Sequence, residues 1–265
     1  MPWFDLPLEQ LREYQTETAE PPELDWWWQR RLDEARAQAR PAQLTRYEAD
    51  IYGPVEAYDA EFSGAGGDRI RAWYLRPAGA NGRTPVVVKF IGYGGGRGLP
   101  TEHALLPALG YSVFVMDTRG QGGGLALATA ALVPRVVAVC HADVPFLCDI
   151  QRAITLAPQP PYTEVPEFLA HNVDLIPAAL DTLRYVDCAL LARRITARCL
   201  LSVGLMDEIC PPSTVFAAYN EITAGKDIAV HPFTGHAVPA AHVERQLRHF
   251  RDFLLGTEPV PQAAG

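Results

Sequence analysis

The spacing of apolar positions changes several times along the chain, and each change marks an element. Leu8 and Leu11 keep helical spacing behind Asp5 and Pro7, which predicts a short first helix. A second is predicted over Glu23 to Ala39, carrying Trp26-Trp27-Trp28. Three adjacent tryptophans cannot share one helix face. Either the helix is clamped between the domain and an extension, or a tryptophan serves a subunit contact or pocket rim. Residues 45 to 91 then alternate in strand fashion. AYDAEFSG and RIRAWYLRPAG flank Gly64-Ala65-Gly66-Gly67-Asp68 and predict a hairpin, and TPVVVKFIG reads as a strand buried on both faces.

From there strands and helices alternate. The pattern predicts a helix around Glu102 to Leu109, strand YSVFVMD, a Gly-rich turn, helix LALATAAL and strand VVAVCHADVP. A long Pro-containing helical segment from Phe146 to Ile195 follows, then strand RCLLSVGLMD, helix STVFAAYNEI, strand DIAVHPFTG and a last helix from Ala240 to Leu255. Such alternation predicts an α/β fold with a mostly parallel sheet and helices on both faces. The expected organisation is one domain over 1–265, with a helical extension at 1–44 and a helical cap-like insertion at 146–195. Ligands in such sheets bind beyond the carboxyl ends of the strands.

Composition narrows the function classes. A chain of 265 residues with 48% hydrophobic and 20% charged positions can bury a full core. The net charge is −8, and basic residues cluster no further than the pairs Arg30-Arg31 and Arg193-Arg194, so neither nucleic acid nor a membrane surface is an expected partner. The apolar runs are shorter than a membrane span, and MPWFDLPLEQLREYQ has acids where a signal peptide needs a basic start; a cytoplasmic protein is expected. Five cysteines, with no CxxC pair and no Cys/His spacing suited to zinc, read as reduced and mostly structural. No metal and no other cofactor is expected.

The candidate chemistry lies at strand ends. Asp207 ends an apolar strand before Pro211-Pro212-Ser213-Thr214, and His236 follows the next strand in Thr234-Gly235-His236. The ordinary readings are an aspartate that orders its own loop and a surface histidine. Taken together, acid after one strand and histidine after the next is the order in which α/β-hydrolases deliver the last two members of a Ser-Asp/Glu-His triad. The carboxylate would fix the imidazole tautomer, and the imidazole would take the nucleophile's proton. Gly92-Tyr93-Gly94-Gly95-Gly96 follows the first core strand, where this fold keeps an oxyanion-hole amide. A dinucleotide reading of that loop fails because Arg97 or Leu99 fills the final Gly position.

With these residues in place the chain resembles the acetyl xylan esterase and cephalosporin-C deacetylase group, carbohydrate esterase family seven. The resemblance runs through FDLPLEQLREY, VVVKFIGYGGGRG, VFVMDTRGQG, GGGLALATAALVPRV, ADVPFLCDI and SVGLMDEICPPSTVFAAYN. It implies an α/β-hydrolase fold, cytoplasmic deacetylation of acetylated sugars or cephalosporins, and ring-like homo-oligomers, commonly hexamers. It also implies Asp207 as the triad acid, His236 as the base, and Tyr93 as an oxyanion residue through its backbone amide. Gln121 matches the residue after the nucleophile.

Gly120, however, stands where the resemblance implies the serine, and no Ser lies between Ser112 and Ser202. Arg119-Gly120-Gln121-Gly122-Gly123-Gly124 serves as the end of one family motif and the start of the next, so the stretch between them, with its helix and strand, is absent. The sheet is expected to close up, with YSVFVMD in the vacated place. The family's His-Glu pair is His236-Ala237 here. Losing a triad serine costs about 10⁶ in turnover, which predicts a nearly inert esterase. Ser213 would have to reach the histidine from the acid's side. The alternative function is a non-catalytic relative acting as a binding or assembly subunit. A nucleotide-binding protein using TRGQGGG as a phosphate loop ranks third, because the Lys-Ser/Thr of a Walker loop is missing.

Overall fold

The computed structural model describes residues 4–48, 50–117 and 122–254. Two helices open the chain, α1 (Leu8–Glu13) and α2 (Leu24–Ala37). On α2, Trp26 is 61% exposed beneath the Arg30 guanidinium, whereas Trp27 and Trp28 meet edge to face at 5.0 Å. One tryptophan thus leaves the face the others share. By internal packing the chain divides into two compact units, Asp25–Gly122 and Met1–Leu24 with Gly123–Gly265. The first twenty-odd residues and most of α2 therefore belong to different units.

The Asp25–Gly122 unit holds a five-stranded sheet. Its strands are β1 (Gln43–Arg46), β2 (Val55–Ser63), β3 (Arg69–Pro77), β4 (Val86–Lys89) and β5 (Ser112–Met116), in the order β1-β2-β3-β5-β4, with helix α3 (Leu105–Ala108) before β5. The hairpin falls where the alternation places it, with Phe62 opposite Ile70 and Ser63 opposite Arg69. Inward positions Val55, Ala57, Trp73, Leu75, Val113 and Val115 form this unit's core. Trp73 also anchors the Gly-rich loop: its Nε1 donates to Gly98 O at 2.9 Å, and the Arg97 guanidinium lies 3.9 Å over its ring.

Two expectations need correction. TPVVVKFIG is not buried on both faces: among the described residues β4 pairs with β5 alone, and Val86 and Val88 are 53% and 47% exposed. An apolar run reports strand tendency but not whether the strand lies inside the sheet or at its edge. Nor has YSVFVMD moved into a vacated place. β5 is antiparallel to β3 on one side and parallel to β4 on the other, so neither of its edges is open to another strand. Among the described residues the strands form two sheets.

The second unit takes α1 and, from Gly123 on, α4 (Gly122–Leu132), β6 (Val139–Asp143), α5 (Ile150–Leu156), α6 (Glu164–His171), α7 (Ile176–Arg184), α8 (Cys188–Leu191), β7 (Arg198–Gly204), α9 (Pro212–Glu221), β8 (Lys226–His231) and α10 (Ala240–Leu254). Its sheet, β6-β7-β8, is wholly parallel. β7 lies at its centre and is buried from Cys199 to Gly204, as a continuous apolar run demands. The predicted helical stretch from Phe146 to Ile195 is four helices, with Pro158, Pro160 and Pro161 separating α5 from α6. All five cysteines are buried and unpaired by disulfides.

Helix α10 covers the sheet through a histidine layer. His141 Nε2 and His249 Nδ1 lie 2.8 Å apart, His141 stacks on Phe250, and His242 and Gln246 bind Asp143, which also accepts from Ser202. Burial first, and then the neighbouring His249, pushes His141 down to about 3; burial also lowers His231 and His249. The fold therefore prefers these rings neutral. The His141 contribution to stability is whole above the unfolded value near 6.5 and is lost as pH falls towards 3, at up to ~1.4 kcal/mol per pH unit; His231 and His249 act in the same direction. The Tm should fall between pH 7 and pH 4. A His141→Phe variant should lose less over the same range, which a thermal melt series checks; equal losses would remove His141 from the account.

Candidate active site

The carboxyl end of β7 leads into the turn that carries Asp207. Beyond Gly204 the chain turns, Asp207 N donates to Gly204 O at 3.2 Å, and the Asp207 side chain is fully buried. Its Oδ1 accepts from Ile209 N and Cys210 N, both at 2.9 Å, so the ordinary reading of a loop-ordering aspartate holds. The second oxygen does something else. His236 Nδ1 donates to Oδ2 at 2.9 Å. Two backbone amides and the imidazole thus satisfy both oxygens of a buried carboxyl group.

The histidine arrives on the loop after β8, and a glycine lets that loop come close. A Cβ on Gly204 would stand 2.3 Å from Thr234 O and 2.4 Å from Gly235 O. Met206 N donates to Thr234 O at 3.1 Å, and Ala237 N closes a tight turn on Gly235 O at 2.8 Å. The imidazole is thus presented to Asp207 through Nδ1, on a side chain 36% exposed. Gly204→Ala forces the loop back and is expected to cost about 1–3 kcal/mol, the usual range for overpacking. It should also loosen the Asp207–His236 contact. A melt and the NMR shift of the Nδ1 proton read these effects; an unchanged Tm and shift would show that the close approach is not needed.

The remaining expected site residues do not gather in the same way. Tyr93 lies in the Asp25–Gly122 unit, in the turn after β4 that Gly95 N closes on Gly92 O at 3.2 Å. Gly120 and Gln121 lie outside the described residues. Ser213 is buried at the start of α9, where its Oγ accepts from Arg152 Nε at 2.6 Å and its N donates to Asp5 Oδ2 at 2.7 Å, so its hydroxyl is engaged away from catalysis. Gly123 and Gly124 make close packing rather than a phosphate cradle: a Cβ on Gly124 would meet Phe146 O at 2.2 Å.

One residue here has no signature in linear spacing. The fully buried Cys210 brings its thiol near the acid and base: one ligand atom each from Asp207, Cys210 and His236 lie within 4.8 Å of one another. Cys210 sits three positions after Asp207 and far along the chain from His236, which matches no Cys/His ligand pattern.

The family model for acetyl xylan esterase matches residues 1–123 and 120–253. The acetyl esterase Axe7A of Xylanibacter ruminicola is 35% identical over 127 residues, 48% of this chain but only 28% of that protein. Among solved structures, an acetyl xylan esterase from Paenibacillus sp. R4 superposes with a TM-score of 0.88 at 26% identity, covering 94% of this chain and 100% of that one. Acetyl xylan esterase 1 from Thermoanaerobacterium sp. gives 0.86 at 30% identity, covering 95% and 99%. The fold is that of the α/β hydrolases, and among the described residues no helix is long and apolar enough to cross a membrane. The chain belongs to the acetyl xylan esterase family.

Proposed function

We propose that this protein is a carboxylic ester hydrolase of the carbohydrate deacetylase type whose acid and base remain and whose serine is replaced by Gly120. Its substrate class is the acetylated sugar or cephalosporin. The observation that carries the reading is the 2.9 Å contact from His236 Nδ1 to a fully buried Asp207. Such a pair has one use in an acyl transfer site: the imidazole takes a proton through Nε2 while the carboxylate stabilises the resulting cation. With no serine, the proton donor is a water that attacks the ester carbonyl directly. Tyr93 and Gln121 are assigned the oxyanion amides by motif.

The two pieces of the family match overlap on residues 120–123, which supports a junction where two family motifs have been merged. Each piece falls mainly on one compact unit, which supports reading the two as parts of a single hydrolase domain. A cytoplasmic, ring-like homo-oligomer, a hexamer by resemblance, completes the proposal, and light scattering on the purified protein tests the assembly.

Removing a triad nucleophile leaves about 10³–10⁴ over water from the oxyanion hole and binding. Turnover of p-nitrophenyl acetate by the 265-residue chain should therefore sit near background. Robust activity that vanishes in His236→Ala would mean that another group attacks the ester. The glycine at position 120 favours a second reading, a binding or assembly subunit that retains the pocket. It predicts a thermal shift with acetylated xylo-oligosaccharide, and none at millimolar ligand would remove it.

A further inference from the structure

We propose that Asp207, Cys210 and His236 together bind one thiophilic divalent cation of the zinc or cadmium class. The inference does not rest on ester hydrolysis, since it needs only the three side chains and their geometry.

A carboxylate oxygen, a sulfur and an imidazole nitrogen, all mutually within 4.8 Å, form a ligand set drawn from the three donor types that zinc takes. Bonds of about 2.0–2.3 Å at tetrahedral angles need ligand atoms roughly 3.3–3.8 Å apart. The widest separation must therefore contract by about 1 Å, while the Asp207–His236 hydrogen bond opens to admit the ion.

The sulfur is the telling member. Cys148, Cys188 and Cys199 each point their Sγ at a backbone carbonyl, at 3.7, 3.3 and 3.4 Å, and Cys140 engages Cys199. Among the described residues the Cys210 thiol donates to no carbonyl, although it is fully buried and shares its turn with Asp207. The amides of Ile209 and Cys210 hold the carboxylate through Oδ1, the kind of outer support that fixes a ligand's orientation. The partly exposed imidazole gives the ion its route in.

Charge and protons balance. The thiol proton leaves to solvent, the imidazole hydrogen passes from Nδ1 to Nε2, and one carboxylate and one thiolate neutralise the dication. No oxidant or reductant takes part. The ion occupies the place of the Asp207–His236 hydrogen bond, so it would block any proton transfer by His236.

Cadmium titration of the full reduced chain tests the proposal. One equivalent should produce a thiolate-to-cadmium charge-transfer band and release about one proton, as metal binding to a thiol requires. Cys210→Ala should abolish the band, with its own melt in the absence of metal showing that it folds. His236→Gln, at a partly exposed position, should keep the fold and weaken binding at least ~10-fold, at the lower end of what losing even a supporting group costs. A band that survives in Cys210→Ala, affinity unchanged in His236→Gln, or a native chain that shows no band would each overturn it. None of these outcomes decides ester turnover, which the p-nitrophenyl acetate assay reads separately.

Discussion

Insertion of the serine-bearing family stretch between Gly120 and Gln121 is expected to raise acetyl ester turnover by up to about 10⁶ over the 265-residue chain, the factor by which a triad serine is ordinarily worth its place. In barrier terms that is about 8 kcal/mol, far more than any other single change at this site can supply. The expectation rests on how complete the acid and base already are. Asp207 is held by two backbone amides, and His236 is turned towards it by a loop that Gly204 lets approach, so the pair itself is already assembled. The strand that comes with the stretch also has somewhere to pair. β4 uses one edge, for β5, and β6 uses one edge, for β7, leaving an open parallel edge in either sheet among the described residues. The measurement is kcat/KM on p-nitrophenyl acetate and acetylated xylo-oligosaccharide, with His236→Ala in the extended chain returning it to background. A folded but inactive product would place the defect elsewhere, first at Ala237.

Much of this was readable in the sequence because the relevant physics is local. The hairpin over Val55 to Pro77 follows from alternation and a Gly-rich turn, and β7 follows from a run of apolar residues. Asp207 and His236 could be paired because a parallel sheet brings consecutive strand ends to one side, whatever separates them in the chain. What escaped is set by partners rather than by pattern. Val86-Val87-Val88 looks the same inside a sheet as at its edge, and whether a second strand pairs with it is not written in the strand itself. Cys210 joins Asp207 and His236 only through a turn and a loop crossing. Gly204 carried a signal, a glycine interrupting an otherwise apolar strand, which marks a close backbone approach. Asp187 was the hardest to read. Before a short helix an aspartate is an ordinary cap, and nothing nearby shows that it also serves a segment nearly forty residues earlier.

Asp187→Ala should leave the chain insoluble or lower its Tm by more than ~10 °C, because one carboxylate there satisfies three buried backbone donors. Its Oδ1 accepts from Asp149 N at 2.8 Å and Ala189 N at 2.9 Å, and its Oδ2 accepts from Ile150 N at 2.7 Å. Each donor left unpaired costs about 1–3 kcal/mol, against a net stability of about 5–15 kcal/mol for a whole domain. The backbone being held is itself strained. Val144, Leu147 and Asp149 all have positive φ, at 36°, 61° and 44°, a conformation that costs of order 1–3 kcal/mol each and persists only where the surroundings impose it. Asp149 in turn ties down the N-terminal segment by accepting from Tyr14 Oη at 2.7 Å and Thr16 Oγ1 at 2.8 Å, so release of the turn should loosen that segment as well. Asp187→Asn keeps the Oδ1 acceptor but faces Ile150 N with an amide donor, and should recover the larger part of the loss. It should also alter the pH dependence. Burial pushes the Asp187 carboxyl up to about 7 against the pull of its amide partners. A raised carboxyl contributes stability that is whole below the unfolded value near 3.9 and is lost as pH rises towards 7, opposite in sign to the histidine layer. The Asn variant should therefore melt with a steeper rise between pH 4 and pH 7 than the parent chain. Melts of the three proteins across that range decide the matter: an Ala variant as stable as the parent would show that the strained turn stands without Asp187.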